Sequence, residues 1–261
     1  MARRMRILVT GAGGCVGRAI RARSVGVGAD VRCVTHAELD VTDRTAAERL
    51  VAAWSPDAVL FCAAVTDVDR CAVDPGAYAV NVTAPIAWAR LAPTWLLSTN
   101  YVFDGTGPHA PGAPRTPRGA YARHKCDAED GVLAAGGHVA RVGWIVGAGG
   151  RTFPSQLAAR LRRDETVRAI ADRLVQPSWS LDLADALLAL PPGVTHQIGA
   201  AETTWFDFAT AVRARVGRGS VVPVPVAALD LPEPRPTDAR LTPALLPPWT
   251  AHLDAISALS G

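Results

Sequence analysis

Short apolar runs alternate with amphipathic stretches through the first half of the chain. Residues 5–10 read as a buried strand, which a glycine-rich turn joins to a helix over about residues 15–25. Residues 31–35 give a second strand and 44–54 a second helix. A third strand over 58–62, a helix over 77–91 and a fourth strand over 95–98 come next. A helix over 120–135 and a fifth strand over 138–142 complete the series, and the buried character continues to Val146. Strands alternating with helices predict βαβ units, hence an α/β fold with a doubly wound parallel sheet covered on both faces.

Beyond Gly150 the pattern changes. Helical periodicity near residues 153–163, 181–190 and 204–216 is separated by strand-like pieces at 167–170 and 196–198. Proline then becomes frequent, in Val221-Val-Pro-Val-Pro-Val and Leu231-Pro-Glu-Pro-Arg-Pro, and both stretches read as extended loop. The expected division is a main domain over residues 1–150 and a smaller C-terminal lobe over 151–261, with some of the lobe's elements returned to the main domain.

Composition narrows the function classes. The chain has 261 residues, 49% of them hydrophobic, enough for one α/β domain with a sizeable core plus a small lobe. No run approaches the roughly 18 apolar residues of a membrane helix, and the short run Ile7-Leu8-Val9 is ended by Thr10 and Gly11, so it is no signal-peptide core. A cytoplasmic protein without a membrane partner is expected. The net charge of +3 is small and dispersed, which argues against nucleic acid as a partner. Five cysteines without a CxxC pair fit reduced thiols and no metal site. Of the 27 Lys and Arg residues, only Lys125 is lysine, which suggests a position where guanidinium cannot replace an ammonium.

Gly11, Gly14 and Gly17 follow the first strand at the spacing G-x-x-G-x-x-G and open a helix with Cys15 and Val16. Glycine there permits a tight turn, close approach of a pyrophosphate and close helix packing, and the helix N-terminus offers free N–H groups to the anion. This predicts a Rossmann-like dinucleotide site in the main domain. The second strand ends at Thr35 and His36 without a carboxylate, and Arg18 could face a 2′-phosphate, so NADPH is expected, with NADH possible. Asp40, beside Val41, could accept from the adenine amino group, while Asp43 reads as a helix cap.

Tyr121-Ala-Arg-His-Lys125 puts a phenol and an ammonium on one helix face, one turn apart. A free tyrosine has a pKa near 10, and a nearby ammonium would lower it toward the working range of an acid or base. Thr99, at the end of the fourth strand, could hydrogen-bond a substrate carbonyl beside Tyr121.

The motifs TGAGGCVG, LDVTD, VTDVDRC, STNYVFDG, YARHK and ARVGWIVG together resemble the dTDP-4-dehydrorhamnose reductase family of the extended short-chain dehydrogenase/reductases. The resemblance runs from Met5 to about Leu241, including DRLVQPSWSLDLADALLAL and RPTDARL. It implies Thr99, Tyr121 and Lys125 as catalytic residues of a 4-ketoreductase, with Tyr121 protonating the carbonyl oxygen during hydride transfer. It further implies that Val9–Gly17, Ala63, Ala64, Asn81 and Lys125 line the cofactor, and that Thr66, Val68, Tyr101 and Trp144 face a sugar nucleotide. For Trp144, core packing is an equal alternative. A homodimer is consistent with the resemblance. Departures fall at Asn100, where the family carries Asp, at Cys62-Ala63-Ala64 for Asn-Ala-Ala, and within YARHK. Asn100, beside the reacting carbonyl, bears on the substrate more than on the chemistry. A cyclitol or other natural-product ketone remains an alternative substrate, and a non-catalytic dinucleotide-binding regulator an alternative role.

Overall fold

The computed structural model describes residues 3–149 and 153–259, so the domain boundary expected after residue 150 lies outside the described residues. The first half runs β1 (Arg6–Thr10), α1 (Cys15–Arg23), β2 (Asp30–Cys33), α2 (Arg44–Trp54) and β3 (Ala58–Phe61). The short helices α3 (Arg70–Val73), α4 (Pro75–Tyr78) and α5 (Ala84–Ala89) follow, then β4 (Thr94–Thr99), α6 (Gly119–Ala134) and β5 (His138–Val142). The second half holds β6 (Trp144–Val146), α7 (Phe153–Arg162), β7 (Thr166–Ile170), β8 (Leu174–Val175), β9 (Pro177–Trp179) and α8 (Ser180–Leu188). It ends with β10 (Val194–Gln197), β11 (Thr203–Thr204), α9 (Trp205–Val216), β12 (Ser220–Val224) and α10 (Leu253–Ser257).

Six strands form one parallel sheet in the order β10-β5-β4-β3-β1-β2. Alternate residues of each strand face opposite layers. Ile7, Val9, Leu60 and Ala140 pack against Ala19 and Ile20 of α1 and Leu183 and Leu187 of α8. Leu8, Val59, Phe61 and Leu96 pack against Ala47 of α2, Trp88 of α5 and Val132 of α6. Both faces are therefore covered, as near-continuous apolar strands require, and the doubly wound α/β fold follows. The second half returns β10 and α8 to this sheet, while α7, α9 and α10 enclose a separate core around Leu157, Val167, Phe208 and Ile256.

Three local expectations are corrected. The helix expected over residues 77–91 is broken by a π-helical turn at Ala79–Thr83. Pro85 has no N–H for the Asn81 carbonyl, and the Ala84 N–H reaches back to Ala79 instead, widening the turn. The apolar stretch 141–146 is two strands rather than one: the chain bends at Gly143, where a Cβ would lie 2.7 Å from Ile198, and β6 pairs with β9 outside the main sheet. The proline run near Val221 is not loop, because Ser220–Val224 pairs in parallel with β7. Pro223 is tolerated in a two-stranded ribbon, where one side of each strand needs no ladder bond.

Candidate active site

Along the chain, β1 is followed by a strand on one side of it and then by one on the other, so the connections diverge between β1 and β3. A cleft of about 980 Å³ opens there, beyond the carboxyl ends of β1, β3, β4 and β5. Gly11, Gly14, Cys15, Val16, Gly17, His36, Asp40, Val41, Ala63, Ala64, Tyr121 and Lys125 line it. Thr66, Val68, Thr99, Asn100, Tyr101 and Trp144 line it as well, whereas Arg18, Thr35 and Asn81 do not.

The glycine turn is sterically determined at two of its three spaced positions. Gly11 has φ +68°, and a Cβ on it would sit 2.6 Å from the Ala63 nitrogen. A Cβ on Gly17 would meet the Gly11 carbonyl oxygen at 2.4 Å, so α1 packs directly on the turn. Gly14 has room for a side chain and serves as the N-cap of α1, whose first turn carries no acidic residue. Gly14, Cys15, Val16 and Gly17 line the cleft, so this helix end, where free N–H groups suit an anion, lies at its wall.

At the end of β2 the picture differs from the sequence expectation. Glu38 turns back so that its carboxylate accepts from the Thr35 N–H at 2.7 Å and the Thr35 hydroxyl at 2.8 Å. A carboxylate thus does stand at this strand end, three residues later than the position where one is sought, and those two bonds hold it below the usual carboxylate range. Arg18 is exposed and donates through Nε to the Gly13 carbonyl at 2.8 Å, beside Gly149. Asp40 accepts from the Thr42 N–H and hydroxyl at 2.9 and 2.8 Å, and Asp43 caps α2 through the Ala46 N–H. Asn81 is buried beneath the loop after β3: its amide oxygen accepts from the Val65 N–H at 2.8 Å and its nitrogen donates to the Val65 carbonyl at 3.0 Å. It shapes the loop that carries Ala63, Ala64, Thr66 and Val68 rather than lining the cleft itself.

Thr99, Tyr121 and Lys125 come together from β4 and α6, and all three are buried. Burial raises the Tyr121 phenol well above its ordinary pKa, and a hydrogen bond with the Thr99 hydroxyl only partly offsets this. Lys125 donates to the Leu97 carbonyl at 2.7 Å. Its ammonium is pushed down to about 8 by burial, with Glu129 acting in the opposite direction. The expectation of a phenol lowered toward the working range is not met: burial outweighs the contacts that offset it and leaves Tyr121 raised, while Lys125 donates to the Leu97 carbonyl. The phenol is an acid that stays protonated at neutral pH.

Trp144 lies at the cleft wall and is also packed against aromatic neighbours, Trp205 at 5.1 Å and Phe208 at 4.8 Å between ring centroids. Asn100 donates to the Ala239 carbonyl at 2.9 Å, tying residues 231–240 to the end of β4. The same segment places the Glu233 carboxylate on the Ala120 N–H at the start of α6 and pairs Arg235 with both oxygens of Asp69 at 2.9 Å. A second cavity of about 340 Å³ shares Asn100, Tyr101, Val175 and Trp205 with the cleft and adds Phe153, Arg173 and Arg235. Among the described residues the buried Nε of Arg173 has no hydrogen-bond partner. Sequence reasoning missed Phe153, Arg173 and Arg235 as site residues: Arg173 and Arg235 lie in DRLVQPSWSLDLADALLAL and RPTDARL, which served only to mark the resemblance.

The model of the RmlD substrate binding domain matches residues 5–247. The chain belongs to this family. A probable dTDP-4,6-dihydroxy-2-methyloxan-3-one 4-ketoreductase of Streptomyces antibioticus is 37% identical over 250 residues, covering 89% of this chain and 85% of the relative. A dTDP-4-dehydrorhamnose reductase of Streptomyces griseus is 36% identical over 252 residues, covering 88% and 83%. A solved dTDP-4-dehydrorhamnose reductase of Clostridium acetobutylicum superposes with a TM-score of 0.90 at 26% identity, over 97% of this chain and 98% of that one. The family is the one the sequence motifs resemble, and the chain is an enzyme of the extended short-chain dehydrogenase/reductase superfamily.

Proposed function

We propose that the protein is an NADPH-dependent ketoreductase that reduces the 4-keto group of a nucleotide-activated, dTDP-type deoxyhexose, with Tyr121 as the proton donor. The observation that carries this reading is the meeting of Thr99, Tyr121 and Lys125 in the cleft that the glycine turn also lines. The dinucleotide fits the residues present: Gly11 and Gly17 leave no room for side chains, and the first turn of α1 offers N–H groups to a pyrophosphate. His36, Asp40 and Val41 would hold the adenosine and Lys125 the nicotinamide ribose. A family relative from Bacillus anthracis, of the same fold, is described in complex with NADP. When bound, the reduced nicotinamide supplies the hydride.

The chain's own part is to orient the ketone and deliver a proton. Tyr121, protonated at neutral pH, gives its hydrogen to the carbonyl oxygen as negative charge develops there. Thr99 directs a hydroxyl at the same oxygen. Lys125, an ammonium below about pH 8, stabilises the phenolate left behind. Trp144 offers a flat face to the sugar ring. In the second cavity, Arg173 and Trp205 suit a diphosphate and a base, which favours a nucleotide-linked substrate over a free ketone.

Purified protein incubated with a dTDP-4-keto-6-deoxyhexose should oxidise NADPH faster than NADH, with the loss of reduced-nicotinamide absorbance matched by alcohol product. Absence of turnover with the dTDP-linked ketone, together with turnover of an unlinked cyclitol ketone, would move the assignment to that substrate class.

A further inference from the structure

Behind Lys125 the fold buries a charged cluster that hydride transfer does not touch. Tyr121, Lys125 and Glu129 stand at successive fourth positions of α6 and share one face. Three consecutive residues of β4 meet them. The Leu97 carbonyl accepts from Lys125 at 2.7 Å, the Ser98 hydroxyl donates to Glu129 Oε1 at 2.5 Å, and Thr99 faces the Tyr121 phenol. Glu129 is 0% exposed. Its Oε1 also accepts from Arg141 Nε at 2.9 Å, and its Oε2 accepts from Arg141 Nη2 at 2.7 Å and Arg115 Nη1 at 3.2 Å.

A buried ion pair is weak evidence of stabilisation, since an apolar replacement of similar volume is often as stable. A fully buried carboxylate one helical turn from the chain's only lysine has another use. Burial drives Lys125 toward the neutral amine, and a neutral amine cannot stabilise a phenolate. We infer that Glu129 is a positioning residue for the reduction, whose negative charge keeps Lys125 an ammonium while its carboxylate anchors α6 to Ser98, next to Thr99. This rests on the roles proposed above for Lys125 and Thr99.

The surroundings leave Glu129 as the anion that matters. Cys62 at the end of β3 and Cys71 of α3 also face Lys125, but burial pushes the first up to about 12 and raises the second, so both stay thiols near neutral pH. Tyr121 stays a phenol, and Leu97 contributes only its carbonyl. Glu129 itself is faced by Arg141 of β5 and by Arg115, which also binds Asp130. Beyond Arg141, His196 of β10 is held neutral by burial, and His109 packs with it against Phe103.

The single lysine in the 261-residue sequence makes the test direct, because lysine labelled with ¹³C at Cε gives one side-chain resonance to titrate. Glu129→Gln retains an oxygen for Ser98 and Arg141 but removes the charge. Its Lys125 midpoint should fall by roughly one unit below that of the unsubstituted protein, an effect expected for loss of a close opposite charge. The alkaline limb of kcat/KM should move down by the same amount. An unchanged midpoint overturns the inference, as does a loss of activity equal at every pH. If Glu129→Gln alone does not fold, Glu129→Gln combined with Arg141→Met is compared with Arg141→Met alone, so that only the carboxylate charge differs: a lower midpoint in the double variant is expected, and equal midpoints overturn the inference. The titration needs no turnover, so an unsubstituted protein inactive on every ketone would sink the proposed function and leave the midpoint comparison standing.

Discussion

The Lys125 ammonium lies 2.7 Å from the Leu97 carbonyl oxygen, so one bond joins the helix bearing Tyr121 to the strand whose end bears Thr99. The side chain is only 2% exposed, and holding a charge there costs stability. The ammonium is pushed down from 10.5 to about 8, a difference worth about 3 kcal/mol at about 1.4 kcal/mol per unit. Between those values the unfolded chain binds more protons than the folded one, so this contribution to stability rises with pH. Below about pH 8 the full cost is present.

Lys125→Met is therefore expected to abolish turnover and stabilise the fold at pH 7, by about 3 kcal/mol less about 1 kcal/mol for the lost Leu97 bond. The advantage should shrink as pH rises from about 8 to 10.5. Denaturant titrations at the two ends of that range check it. A variant less stable at neutral pH, or a gap that does not narrow, counts against a charged buried lysine.

Tyr121→Phe keeps the ring that packs edge-on against Tyr101, with centroids 6.1 Å apart, and removes only the dissociable hydrogen. Turnover should fall by a factor of about 10² to 10⁴, the usual worth of a positioned general acid, with dinucleotide affinity within a few-fold. Steady-state rates beside a direct binding titration separate the two. Retained turnover would remove the phenol from the chemistry.

Much of this arrangement was legible because its signals are local. Asp43 caps α2 and Ser55 closes it in the left-handed conformation, so the helix occupies the span its periodicity predicts. Gly11, Gly17 and the Tyr121–Lys125 spacing each act within one turn or one helix. What was not legible depends on partners far along the chain. Glu233 caps α6 from more than a hundred residues away, and Arg173, although it lies in DRLVQPSWSLDLADALLAL, reaches the second cavity through packing that no local spacing records. Asn81, within the π-helical turn, bonds Val65 sixteen residues earlier, which no hydrophobic period records. Glu38 is a nearer miss, since the search stopped at His36 while the chain folds back from two residues further on.

That fold-back bears on cofactor choice. The Glu38 carboxylate, ionised and fixed on Thr35, lies at the end of β2 beside His36 of the cleft, and it would oppose a 2′-phosphate on an adenosine ribose bound there. Glu38→Gln keeps an acceptor for Thr35 and removes the charge, so the KM for NADPH should drop several-fold and that for NADH should change little. Parallel kinetics with both cofactors are the check. An unaltered ratio would place the 2′ position away from Glu38.

Asn100→Asp tests how residues 231–240 are tied to the end of β4. The Asn100 amide donates to the Ala239 carbonyl at 2.9 Å, and its oxygen is 3.5 Å from the Thr99 hydroxyl. A carboxylate there has no hydrogen to give and faces a carbonyl dipole of the same sign. The substitution therefore loosens residues 231–240 at Ala239, although Arg235 stays paired with Asp69 and Glu233 with Ala120. Ala239 and Arg235 both line the second cavity, so the loss would fall on the nucleotide end of the proposed substrate. The KM for the nucleotide-linked ketone should rise roughly tenfold, the worth of about one buried hydrogen bond, with kcat reduced less. Limited proteolysis should cut the variant within the segment sooner than the parent. A fall in kcat at constant KM, with the cleavage rate unchanged, would instead mean that Asn100 acts on the reacting carbonyl through Thr99.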